Sequence, residues 1–168
     1  MTFTGRTAPL IRPSVLFVCT ANRIRSPLAA ALFRNYLIRE GLPSQRWRVN
    51  SAGTWVQDNL PCPDEVIRAG IARGFDLRKH RSQNLNEGLI SSHNLILVME
   101  RGHKESLQHV FPDLAGRVYL LSEMSNGNEE IKDPPTLTPA DLQNLLDQMS
   151  GLLHKGLPRI LLLARGNP

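Results

Sequence analysis

The amino-acid sequence predicts an α/β protein with a single doubly wound, mostly parallel four-stranded sheet flanked by helices, a three-layer sandwich. Two observations carry this prediction. Apolar runs of strand length alternate with helical patterns along the chain, and the first run, residues 14–20, is apolar almost throughout, as in a strand buried on both faces. In addition, 168 residues fit one domain with one core.

Each element follows from a local pattern. The first helix, residues 27–40, has Pro27 at its first position, an Ala/Leu-rich body and Gly41 directly after its end. The last helix begins at Pro139 with Thr138 as its N-cap. Between them, strands are predicted over 47–52, 94–99 and 117–121, and helices over 64–73 and 102–110. Residues 122–132 are interpreted as a surface loop, and the segment after Gly156 as either an edge strand or a packed extension.

Composition narrows the classes of function. Hydrophobic residues make up 41% and charged residues 21%, and no apolar run approaches the roughly 20 residues of a membrane span. Residues 1–13 contain no apolar run of signal-peptide length, so we expect a flexible tail before one cytoplasmic domain over residues 14–168. The formal charge of +5 attracts polyanions, but Lys and Arg are scattered and aromatics make up only 5%. This argues against a nucleic-acid partner.

The segment between the first strand and the first helix carries the chemistry. It places Cys19 and Arg25 six positions apart on one tight loop. The N–H groups at a helix N-terminus favour an anion and also favour a thiolate over a thiol. Arg25 can hold two phosphate oxygens at once, and Ser26 can donate a hydrogen bond to the thiolate. Between them lie the remaining residues of a predicted phosphate-binding loop, Thr20, Ala21, Asn22, Arg23 and Ile24.

This loop, VLFVCTANRIRSP, resembles the signature of the low-molecular-weight protein tyrosine phosphatases. Further matches cover most of the chain after residue 13, at Ser51–Thr54, His80–Ser82, residues 94–99 and Asp133-Pro134. The resemblance implies a flavodoxin-like fold and hydrolysis of phosphotyrosine through a phosphocysteine on Cys19, with Asp133 as general acid. It implies no cofactor and no metal. Ser51 and His80 are expected to brace the loop, and the expected partners are phosphotyrosine proteins, their tyrosine kinase, and phosphate or sulfate in the loop.

Several positions depart from the family pattern. Ile24 stands where many relatives carry a second cysteine, and Arg23 where a small or aliphatic residue is common. Pro135 replaces an aromatic residue, so Trp55 is the candidate surface for stacking on the phenyl ring. Ala21 replaces a frequent glycine, and a positive φ there would cost roughly 1 to 2 kcal/mol.

Alternatives stay open at this point. The acid could instead be Asp113, Glu129 or Glu130, and Cys62 is interpreted as an inert small hydrophobic residue. Three other functions are compatible with parts of the sequence. An arsenate reductase of similar fold would need redox cysteines downstream of Cys62, and none is present. A silent phosphate-binding module and a phosphoarginine phosphatase remain, the latter separated from the tyrosine prediction by Arg23 and Pro135.

Overall fold

The computed structural model describes residues 12–42 and 44–166. Its sheet has four parallel strands in the order β2-β1-β3-β4, formed by Ser14–Cys19 (β1), Arg48–Gly53 (β2), Leu95–Val98 (β3) and Val118–Leu120 (β4). The helices are Arg25–Arg39 (α1), Asp64–Ala72 (α2), Glu87–Ser91 (α3), Arg101–Val110 (α4) and Pro139–Ala164 (α5). The predicted fold class is confirmed. The predicted tail lies mostly outside the described residues.

Strand β1 is the centre of the sheet. It pairs in parallel with β2 on one side and β3 on the other, with Val18 opposite both Ala52 and Val98. All six of its residues are buried, because each face of the sheet is covered by helices. One apolar cluster, including Phe17 and Phe33, joins the sheet to α1, α2 and α5, and a second joins the other face to α3 and α4. Because the strands are parallel, their carboxyl ends meet at one edge.

The structure decides two sequence predictions in the last third of the chain. The segment after Gly156 is not an edge strand but a packed extension, because α5 continues through Pro158 to Ala164. Leu157, Ile160 and Ala164 keep the apolar stripe in phase with the core, so packing outweighs the interruption by proline. Residues 122–132 are not a plain surface loop, since a 3₁₀ turn spans Leu121–Ser125 and Ile131 is buried.

No helix in the described ranges combines the length and the apolar character that crossing a membrane would require.

Candidate active site

The phosphate loop connects the end of β1 to the start of α1. Helix α1 begins at Arg25, two residues earlier than predicted, so Arg25 and Ser26 lie in its first turn and Pro27 is its third residue. No side chain caps this helix, and its first turn contains no acidic residue. The N-terminal N–H groups and the positive end of the helix dipole are therefore suited to an anion in the loop.

Cys19 and Ser26 face each other across the loop. Cys19 Sγ lies 3.0 Å from Ser26 Oγ, and both residues are buried. Ser26 Oγ also accepts a hydrogen bond from Asn22 Nδ2 at 2.8 Å, which leaves its own proton for the sulfur or for the Ala52 carbonyl at 3.3 Å. The geometry allows Ser26 to stabilise a thiolate on Cys19 by donating that proton.

Asn22 holds the loop in shape. It is fully buried and adopts the left-handed conformation, with φ of +56°. Its Nδ2 donates to Ser51 Oγ at 2.9 Å, and its Oδ1 accepts the Gln83 backbone N–H at 3.0 Å. Its carbonyl lies 2.7 Å from His80 Nε2. Burial lowers the pKa of His80, so the neutral ring donates this bond through Nε2. Ser51 and His80 thus lie where they were expected to brace the loop.

The Arg25 guanidinium is held between two carboxylates. Its side chain is only 2% exposed, and Nη1 donates to Glu100 and, at 2.9 Å, to the Ile131 carbonyl. Nη2 donates to Asp133 Oδ2 at 2.9 Å. Nε lies 2.8 Å from Asp133 Oδ1, yet it is left without a hydrogen-bond partner. The guanidinium therefore contacts both carboxylate oxygens of the side chain predicted to be the general acid, through a hydrogen bond from Nη2 and an ion-pair contact from Nε.

Asp133 differs from the other candidate acids in its contacts and its position. Glu130 binds Lys132 at 2.8 Å and accepts the Arg101 backbone N–H at 2.8 Å. Asp113 lies in the 3₁₀ turn that leads into β4, at the edge of the sheet opposite the loop. Of the four candidates, Asp133 is the one in contact with Arg25.

Glu100 and His103 also belong to the site, although the sequence analysis did not single them out. Burial opposes ionisation of Glu100, but hydrogen bonds from Arg25 and Lys132 outweigh burial and lower its pKa. His103 Nδ1 accepts the Glu100 backbone N–H at 3.2 Å, so its Nε2–H donates to Thr20 Oγ1, 2.8 Å away. Glu100 lies two residues after the end of β3, and its place beside a neighbouring strand's end could have revealed it.

Gly53 is a further residue that the loop requires. A Cβ atom there would lie 2.3 Å from the Thr20 carbonyl oxygen, so only glycine allows the two backbones to approach. The two residues after Gly53 form backbone hydrogen bonds with the loop. The Thr54 N–H donates to the Cys19 carbonyl at 2.9 Å, and the Trp55 N–H donates to the Thr20 carbonyl at 3.1 Å. The Trp55 side chain is 84% exposed next to this contact.

The remaining predicted residues surround the loop. Arg23 Nε donates to the Pro61 carbonyl at 2.9 Å, and Ile24 is half-buried at the helix start. Ala21 does not have a positive φ, because the left-handed residue is Asn22, so the expected strain is absent at this position. Pro135 is exposed and lines a cavity of about 370 Å³ together with Asp133.

Cys62 differs from Cys19 in its surroundings. It is 2% exposed, and burial raises the pKa of its thiol to about 12, although Arg23 opposes the shift. It therefore stays a neutral thiol, as expected for a small core residue. Among residues 12–42 and 44–166, no three His, Cys, Asp or Glu side chains gather as metal ligands do.

A cysteine and an arginine on one helix-opening loop, with a carboxylate on the arginine, define a cysteine-dependent phosphatase. The chain belongs to the low molecular weight phosphotyrosine protein phosphatase family, whose model matches residues 14–160. The predicted family and enzyme class are confirmed.

Several known proteins are similar to this chain. A probable low molecular weight protein-tyrosine-phosphatase, EpsP, of Ralstonia nicotianae is 31% identical over 88% of this chain and 95% of its own length. A protein-arginine-phosphatase of Bacillus subtilis is 32% identical over 84% of this chain and 97% of its own. The crystal structure of a low molecular weight protein tyrosine phosphatase from T. tengcongensis superposes with a TM-score of 0.80 at 28% identity, covering 87% of this chain and 98% of that one.

Proposed function

We propose that this protein hydrolyses phosphotyrosine in proteins through a phosphocysteine intermediate on Cys19. The observation that carries the proposal is the convergence of three groups on one loop. Cys19 lies at its start, Arg25 at its end, and Asp133 reaches Arg25 from a segment 108 residues further along the chain. These groups supply a nucleophile, a phosphate clamp and a proton donor.

The reaction takes place in two displacements. In the first, the Cys19 thiolate attacks phosphorus, the bond from phosphorus to the phenolic oxygen breaks, and protonated Asp133 gives its proton to the leaving oxygen. In the second, Asp133 takes a proton from water, the water oxygen attacks phosphorus, and the bond from sulfur to phosphorus breaks. The products are the free phenol and inorganic phosphate, and the thiolate is regenerated.

Arg25 links substrate binding to the position of the acid. In the structure its Nη2 donates to Asp133 Oδ2, and its Nε lies 2.8 Å from Asp133 Oδ1 without forming a hydrogen bond. A bound phosphate would take both donors in a bidentate contact. Asp133, which is 64% exposed, would then be displaced toward the leaving oxygen. Glu100 would keep its hold on Nη1 throughout and fix the orientation of the guanidinium.

The surface around the loop supports an aromatic substrate. Trp55 offers an exposed ring on a backbone segment that pairs with Thr20. Pro135, on the Asp133 side, would form the opposite wall. Arg23 adds a positive charge at the rim, which would favour acidic peptides and repel a guanidinium group.

Phosphoarginine is the second candidate substrate, because one of the relatives, 32% identical, is a protein-arginine-phosphatase. Comparing kcat/KM for phosphotyrosine and phosphoarginine in the wild type and in Arg23→Thr separates the two. We expect the wild type to prefer phosphotyrosine and the variant to gain activity on phosphoarginine. A wild type that prefers phosphoarginine would overturn the tyrosine assignment.

The proposal extends to the cellular setting. The substrates would be proteins phosphorylated by a tyrosine kinase, and phosphate or sulfate would bind the loop as product or competitor. Cys19 is a free thiol in the structure, and its use as a nucleophile requires a reducing compartment, which supports a cytoplasmic location.

The decisive experiment is hydrolysis of para-nitrophenyl phosphate with excess chelator present. Cys19→Ser should abolish turnover, and Asp133→Asn should lower kcat by about 100-fold or more, because general acid catalysis contributes 10² to 10⁴. Asp113→Asn, a matched control at the opposite edge of the sheet, should leave kcat unchanged. If the folded, reduced wild type binds sulfate but shows no turnover, the protein is a phosphate-binding module and the proposal fails.

A further inference from the structure

A polar cavity of about 230 Å³ lies beside the phosphate loop, and its lining includes Ser51 and His80, which both contact Asn22. Its walls come from α1, from β2 and from the segment 76–83. Its polar lining includes Arg34, Ser51, Asp76, His80 and Arg81. This volume is several times the roughly 30 Å³ that one water molecule occupies, so a small ion fits with part of its hydration shell.

The cavity carries an excess of positive charge. Within the described ranges, neither Arg34 nor Arg81 lies within 4.0 Å of a carboxylate. Asp76 is the acid among the lining residues, and Arg78 holds it through contacts of 2.7 to 3.0 Å. Those hydrogen bonds lower the pKa of Asp76 to about 2. Its charge is thus matched by Arg78, and the two cavity arginines stay unneutralised.

Both cavity arginines keep donors available. Arg34 uses Nη2 on the Val49 carbonyl, and Arg81 uses Nη1 on the carbonyls of Arg78 and His80, at 3.0 and 2.6 Å. A guanidinium has five N–H donors in a planar fork, so most of each fork is free for an anion. Backbone carbonyls orient the two side chains without cancelling their charge.

Two groups deeper in the cavity point to the same kind of ligand. Ser51 is 7% exposed and accepts from Asn22, and its own proton has no acceptor in the part of the chain that the structure describes. Burial lowers the pKa of His80, and the charges of Arg34 and Arg81 lower it further. The two arginines therefore create a positive potential at this half-buried ring, and such a potential also stabilises an anion.

We propose that this cavity is a second oxyanion site, which binds a free tetrahedral dianion such as phosphate or sulfate between Arg34 and Arg81. The site is separate from the catalytic loop and does not depend on turnover. Ser51 and His80 each contact both the cavity and Asn22. These two residues therefore lie between the cavity and the loop.

Sulfate titration of ¹⁵N-labelled protein at constant ionic strength tests the proposal. In the wild type, the amides of residues 80–83 should respond with their own midpoint, distinct from that of the loop amides 20–24. In the double variant Arg34→Gln, Arg81→Gln, the sulfate concentration at the midpoint for residues 80–83 should rise at least about tenfold. The reason is that the loss of charge-assisted hydrogen bonds from both arginines lowers the affinity for the anion by at least this factor. The loop midpoint should stay the same.

A control variant loses the same two positive charges at positions outside the cavity. Arg39 and Arg68 are exposed on α1 and α2, away from the cavity lining, so Arg39→Gln, Arg68→Gln should behave like the wild type. The single variant Arg81→Gln, at an exposed position, covers the case in which the double variant fails to fold. Equal midpoints in the cavity and control variants, or cavity amides that follow the loop midpoint in every protein, would overturn the proposal.

Discussion

Replacing Asn22 with alanine tests how the phosphate loop is held in shape. The side chain makes three hydrogen bonds, to Ser26, Ser51 and Gln83, at 2.8, 2.9 and 3.0 Å. At about 1 kcal/mol each, their loss removes about 3 kcal/mol. Alanine at a φ of +56° adds about 1 kcal/mol of strain. We therefore expect the free energy of unfolding to fall by about 4 kcal/mol, a large share of the 5 to 15 kcal/mol typical of a domain.

Urea unfolding, followed by far-UV circular dichroism, measures this loss as a shift in midpoint at constant slope. Two companion variants separate the contributions. Asn22→Gly removes the same hydrogen bonds but relieves the strain, so it should be about 1 kcal/mol more stable than Asn22→Ala. Ser51→Ala removes one bond and should lose about 1 kcal/mol. An Asn22→Ala protein within 1 kcal/mol of the wild type, or no gain from glycine, would refute the reasoning.

Three other outcomes are expected. Gly53→Ala places a Cβ 2.3 Å from the Thr20 carbonyl, so the loop must shift, and kcat/KM for para-nitrophenyl phosphate should fall about 100-fold; unchanged kinetics would contradict this contact. In Gly156→Ala the new Cβ would lie 2.6 Å from Met124 Cβ, so the free energy of unfolding should fall by about 1 to 3 kcal/mol. In Gly151→Ala, on the same helix, the new Cβ meets nothing within 4 Å, and the free energy of unfolding should rise by about 1 kcal/mol. Equal effects of the two variants in thermal unfolding would contradict the close approach of Gly156 to Met124. Burial lowers the pKa of His80, His93 and His103 below 6.5, so near this pH the native state binds fewer protons than the unfolded chain. The free energy of unfolding should therefore fall as pH drops from 7.5 to 5.5. A urea midpoint that stays constant over this range would contradict the prediction.

Much of the fold could be predicted because its elements are locally encoded. The apolar run of β1 is buried on both faces, and Thr138 caps α5 through the Asp141 N–H as its position before Pro139 indicates. Helix α3 was missed because its five residues are too short to show a helical period. The sequence did not show where α5 ends, because Gly156 and Pro158 both disfavour a helix. The helix continues past them because its residues pack against Met124 and the core.

The site was predictable as far as it is contiguous in sequence. Cys19, Asn22, Arg25 and Ser26 lie within eight residues, and their spacing between a strand pattern and a helix pattern indicates a phosphate loop. Glu100, in contrast, reaches Arg25 across 75 residues, and the contact exists only because β3 lies next to β1 in the sheet. The strand order was not predicted, so contacts that depend on it could not be predicted either.

The central place of β1 also affects how the protein comes apart. Its amides and carbonyls bond to strands on both sides, and all of its residues are buried, so the strand cannot open before its neighbours have separated. In native-state hydrogen exchange, its amides should exchange only through global unfolding, while exposed segments such as α3 open locally. The proposed nucleophile, Cys19, is the last residue of this strand. The thiol of Cys19 therefore stays attached to the most persistent part of the domain, and partial unfolding at the periphery leaves its anchoring intact.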